Sequence, residues 1–151
     1  MSKFSSVDEV LDFAIAREEE ATAFYLQMAQ RMDKPWMKKA FEDFADEELG
    51  HKDKLMAVKQ GKTLTPEGVK VTDLKIADYV VAAPVSPDMT YGDALSVAMQ
   101  REKKSFMLYS RLAANCNTPE LKSTFEALAQ EEAKHKLWLE VEYDDKVLTE
   151  D

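Results

Sequence analysis

Apolar residues recur every three or four positions over residues 6–32, a stretch without glycine or proline, and this period predicts an amphipathic helix. Leu11, Glu18, Tyr25 and Met32 fall seven apart, with Ala14, Ala21 and Met28 between them. These are the two inner positions of a heptad, the seam that faces neighbouring helices. Ser6 followed by Glu9 has the form of a capping box at the helix start. A second helix is expected over 35–60, opening at Pro35, where a missing N–H costs nothing. Its seam reads Met37, Phe41, Phe44, Glu48, His51, Leu55 and Val58.

Residues 61–89 carry three prolines and two glycines and read as one long connection, with a short helix expected over 72–80. A third helix follows over 90–115, with Leu95, Ala98, Glu102, Ser105, Tyr109, Leu112 and Cys116 on its seam. Pro119 starts a fourth, whose seam is Leu121, Phe125, Leu128, Glu132, His135 and Leu139. The polar, acidic end beyond Tyr143 is expected to fray.

Shifting the sequence by 84 residues superposes 11–55 on 95–139 without a gap, with identity at 16 of 45 positions. The matches include Arg17/Arg101, Glu18/Glu102, Tyr25/Tyr109, Pro35/Pro119, Phe41/Phe125, Glu48/Glu132 and His51/His135. Chance likeness between amphipathic helices would not keep Tyr, Pro and His in register. The expectation is an all-α, single-domain chain over 1–151: two repeated helical hairpins, about 6–60 and 90–143, joined by a crossover at about 61–89. Two antiparallel pairs joined this way make a four-helix bundle with one long crossover.

Composition narrows the function. With 45% apolar and 32% charged residues, the chain has the profile of a folded domain. A formal charge of −9 disfavours nucleic-acid binding through a basic surface. The lone Cys116 excludes an internal disulfide or a four-cysteine metal site and is expected to be a buried, inert thiol. No apolar stretch approaches a membrane span, and residues 1–6 lack a signal-type apolar run, so the expected location is the cytoplasm.

The chemistry sits on the seams. Glu18, Glu48, His51, Glu102, Glu132 and His135 occupy positions otherwise filled by Leu, Phe, Met and Ala, and no Lys or Arg lies there to neutralise them. A bare carboxylate in an apolar core costs several kcal/mol, and four facing one another repel further. Either they take up protons or cations sit among them; four carboxylates and two neutral imidazoles suit two divalent or trivalent metal ions. Glu48/His51 and Glu132/His135 are each i,i+3 pairs that reach one point from one helix face. Mixed O/N donors favour iron, manganese or zinc over calcium or magnesium. Tyr25 and Tyr109, one heptad beyond Glu18 and Glu102, are placed to hydrogen-bond ligand carboxylates. Glu47 and Glu131 are read as pointing off the seam and are left out of the ligand set.

The Glu-x6-Tyr and Glu-Glu-x-x-His motifs each occur twice: Glu18 with Tyr25, Glu47-Glu48 with His51, Glu102 with Tyr109, and Glu131-Glu132 with His135. In these the chain resembles the ferritin-like di-iron carboxylate superfamily, most closely its rubrerythrin branch. The resemblance implies that Glu18, Glu48 and His51 bind mainly one iron and Glu102, Glu132 and His135 the other, with Glu48 and Glu132 bridging. It also implies reaction with peroxide or O2 through Fe(II)/Fe(III) cycling. Typical rubrerythrins carry a further carboxylate three residues after the third-helix Glu, where this chain has Ser105. They also carry a rubredoxin domain with two cysteine pairs, so here a separate donor such as a rubredoxin would supply electrons. The six-ligand pattern is similar to bacterioferritin, but Leu49 replaces the haem-ligand Met, so no haem is expected. Iron storage or delivery, and a metal-stabilised module without turnover, remain open beside a di-iron oxidoreductase. A homodimer is expected, with Trp36 and Trp138 as apolar residues to spare.

Overall fold

The computed structural model describes residues 6–64, 74–80 and 88–148. Four long helices dominate: α1 (Val7–Arg31), α2 (Pro35–Gly61), α3 (Tyr91–Ala114) and α4 (Pro119–Tyr143). No strand occurs among the described residues, and none of their helices is long and apolar enough to cross a membrane. Packing is dominated by the sequential pairs, α1 against α2 and α3 against α4, as short connections between antiparallel helices require.

Helix ends follow local chemistry. The Ser6 side chain accepts the Glu9 backbone N–H at 3.1 Å, and Thr90 accepts that of Asp93 at 3.0 Å. Each such cap stabilises its helix by about 1 kcal/mol. Pro35 and Pro119 open α2 and α4 at positions where no helical N–H is needed. The α2 terminus differs from expectation: Gly61 stays helical, and Lys62 takes the left-handed conformation at φ 51° while its N–H closes back onto Val58 and Lys59 carbonyls.

The expected helix over 72–80 is, in its described part, a short 3-10 turn, Ile76–Tyr79; residues 72 and 73 lie outside the described residues. Tyr79 is buried and its hydroxyl accepts from Arg111 at 2.9 Å, which pins this part of the crossover to α3. The end beyond Tyr143 does not simply fray. Asp144–Leu148 forms a π-helical turn that brings Tyr143 and Val147 against the core and Lys146 over the Trp36 ring. Apolar Val147 supplies a contact that the polar composition of the segment conceals. Trp138 packs edge-on against Phe41 and Phe44, with ring centroids 5.5 and 5.2 Å away.

The apolar core is split into two clusters. One joins the start of α1, the ends of α2 and α3 and the start of α4, including Leu11, Leu55, Leu112 and Phe125. The other, at the opposite end, includes Phe24, Met28, Phe41, Leu95 and Leu139. Between them, at mid-bundle, lie the buried ionisable groups.

Candidate metal centre

All six seam-borne ionisable residues are buried, at 3% exposure or less: Glu18 from α1, Glu48 and His51 from α2, Glu102 from α3, Glu132 and His135 from α4. Each occupies an inner heptad position, so helix geometry alone aims it at the bundle axis. Their ligand atoms form two groups, within each of which every atom lies within 4.8 Å of the others. One group is Glu18, Glu48, His51 and Glu132; the other is Glu48, Glu102, Glu132 and His135. Glu48 and Glu132 belong to both.

The imidazoles turn Nδ1 inward. His51 Nδ1 lies 3.3 Å from Glu18, 3.4 Å from Glu48 and 3.2 Å from Glu132. His135 Nδ1 lies 3.2 Å from Glu48, 3.6 Å from Glu102 and 3.8 Å from Glu132. The outer nitrogens are held across the bundle: His51 Nε2 bonds Glu131 of α4, and His135 Nε2 bonds Glu47 of α2. A neutral ring that donates its Nε2–H to a carboxylate carries its lone pair on Nδ1, the tautomer that a cation at the centre requires.

Glu47 and Glu131 therefore belong to the site, although their sequence positions place them off the seam. The available signal was the doubled Glu before each Glu-x-x-His. What it could not reveal is that each reaches the histidine of the opposite hairpin. The tyrosines cross in the same manner. Tyr25 donates to Glu102 Oε1 at 2.5 Å, and Tyr109 donates to Glu18 Oε2 at 2.6 Å. Burial, together with the adjoining Glu102 and Glu18 charges, holds both phenols well above their ordinary range, so they stay protonated donors.

Without cations the cluster is electrostatically costly. Burial, reinforced by Glu132, Glu102 and Glu18, pushes Glu48 well above the carboxylate range. Burial and Glu132 raise Glu18, and the same causes push Glu102 up to about 8. Burial opposes charge on the imidazoles, yet the surrounding carboxylates outweigh it and raise His51 to about 11 and His135 to about 9. Burial also opposes charge on Glu132, but the close approach of the His51 and Glu48 side chains leaves it below its ordinary value. Retained protons thus stand in for positive charge.

The fit to metal ions rests on the atoms that protons and neighbours leave over. Glu18 Oε1, Glu48 Oε1, Glu102 Oε2, both Glu132 oxygens and Nδ1 of His51 and His135 are buried without a hydrogen-bond partner. Buried polar atoms seldom lack partners. Seven converging on one volume, all oxygen or imidazole nitrogen, fit two divalent cations sharing carboxylates. Ser105, on the seam one turn beyond Glu102, is half-buried and adds no carboxylate. Cys116 is buried near the end of α3, where its thiol donates weakly to the Thr118 carbonyl at 3.6 Å.

A bundle of this form has the ferritin-like fold. It superposes on the crystal structure of a ferritin-like diiron-carboxylate protein from Thermotoga maritima with a TM-score of 0.80 at 21% identity, covering 97% of this chain and 100% of that one. A hypothetical protein from Pyrococcus furiosus superposes with a TM-score of 0.71 at 25% identity, over 93% of this chain and 89% of that one. No curated protein matches the sequence. The family profile named Rubrerythrin matches residues 9–143, and the chain belongs to that family.

Proposed function

We propose that this protein is a rubrerythrin-like, non-haem di-iron oxidoreductase that reduces peroxide or O2 as Fe(II) is oxidised. The observation that carries the reading is the pair of interlocking four-residue groups sharing Glu48 and Glu132, with seven buried donor atoms unpartnered. In this reading Glu18, Glu48 and His51 would hold mainly one ion and Glu102, Glu132 and His135 the other, with Glu48 and Glu132, common to both groups, available to each. Bound iron would supply a two-electron redox reservoir and Lewis acidity. The chain's own residues supply the rest. Tyr25 and Tyr109 orient Glu102 and Glu18, Glu47 and Glu131 fix the imidazole tautomers, and the two apolar clusters keep bulk water from both ends of the site.

The same reading makes the two hairpins products of an internal repeat and the chain one domain, associating as a homodimer in the cytoplasm. Electron delivery is assigned to a separate protein such as a rubredoxin; residues 1–151 hold one cysteine, too few for a cysteine-ligated iron site of their own. The test is anaerobic loading of metal-free protein with Fe(II), elemental analysis per chain, then stoichiometric H2O2. About two irons per chain and a near-ultraviolet change complete at one peroxide per two irons are expected. Two bound irons with no spectral change would remove the redox assignment and keep the metal site.

Ser105 favours a second reading, ferroxidase-type iron handling, because the extra carboxylate of typical rubrerythrins is replaced there. Iron handling for storage predicts large assemblies holding hundreds of irons, against a small oligomer with about two metals per chain for the oxidoreductase. Size-exclusion mass with iron content separates the two.

A further inference from the structure

The donors proposed to hold the metals are almost fully buried, so a cation needs a passage to them. Among the residues bonded to the cluster, Glu47 and Glu131 reach solvent, with side chains 52% and 37% exposed. Both line an opening of about 320 Å³ between α2 and α4, together with Phe44, Lys134, Trp138 and His135. His135 is 3% exposed, and its inward Nδ1 has no partner. The opening therefore leads from half-exposed carboxylates, through one imidazole, to unsatisfied donors.

We propose that divalent cations enter the site through the α2/α4 seam, with Glu47 and Glu131 as their first ligands. The proposal rests on the metal-site reading above. Each carboxylate, half-exposed and bonded to an imidazole Nε2, would be the first oxygen ligand offered to a cation, ahead of the buried Nδ1. Lys134, a positive charge at the rim, opposes cation capture.

Stopped-flow uptake of Co(II) by metal-free protein, read from Co(II) visible absorption, tests this without turnover. Glu47→Gln and Glu131→Gln each keep an acceptor for the imidazole N–H while removing the charge. In the double variant the second-order uptake rate is expected to fall about tenfold or more, read as the initial rate and separately from the Co(II) content reached at equilibrium. Lys134→Glu, which replaces the positive charge at the rim of the opening with a negative one, should accelerate uptake. Unchanged rates in both the double Gln variant and Lys134→Glu, with Co(II) still bound, would overturn the route and leave the metal site standing. A wild-type protein that binds no Co(II) overturns the site, and the route with it.

Discussion

Tyr109 of α3 donates its hydroxyl to Glu18 of α1 at 2.6 Å, across the two hairpins and inside a fully buried site. The carboxylate is thereby aimed by a residue from the other half of the chain. Tyr109→Phe keeps the ring and removes only this bond. Because the acceptor is a carboxylate, the loss should be about 1.5–3 kcal/mol of stability in urea unfolding. Metal affinity should fall about tenfold or more, read by competition with a chelating dye. Unaltered affinity would reduce the tyrosine to a packing role.

The metal-free protein should lose stability as pH rises from neutrality. Glu102 titrates near 8, His135 near 9 and His51 near 11 in the folded chain, all above their ordinary values. A raised folded-state value means the native state binds the extra proton. The contribution is complete below the ordinary value, near 4.5 for Glu102 and 6.5 for the histidines, and is lost as pH climbs through 8 to 11. Urea midpoints between pH 6.5 and 9.5 should fall for metal-free protein and change far less once cations replace the protons. A flat metal-free profile would contradict the electrostatic account.

Glu48→Gln should act in opposite directions on the two forms. Without metal it removes the cost of keeping a buried carboxyl protonated at neutral pH, a cost imposed by burial and by Glu132, Glu102 and Glu18, and should stabilise the fold by about 1 kcal/mol or more. With metal it removes a donor common to both groups and should lower the bound metal below two per chain, as read by elemental analysis. Destabilisation of the metal-free form would show that the carboxylate is needed for packing alone.

Phe125→Ala, at a fully buried position in one apolar cluster, should cost about 3–5 kcal/mol. Leu137→Ala on α4, where the side chain is 61% exposed, should shift stability by no more than about 0.5 kcal/mol. Thermal melts of both variants give the contrast directly.

Helices, capping residues and the inward carboxylates were legible because each depends on spacing along one chain segment. Glu18 and Glu48 declare themselves by standing where Leu or Phe belongs. The Glu47–His135 and Glu131–His51 bonds were not legible, since a residue one step off a seam can be placed only once the facing helix and its height are known. The same holds for Trp138, whose packing against Phe41 and Phe44 is a property of two helices together. The turn at Asp144–Leu148 escaped because Val147 is a single apolar residue in a charged stretch, below what periodicity can register.

Two oily ends separated by a charged waist also bear on how the molecule comes together. Each end can condense from side chains of all four rods with no help from ions, so collapse and cation capture become separable events. Scarcity of metal in the surroundings would then leave a shaped, waiting receptacle instead of an unravelled chain.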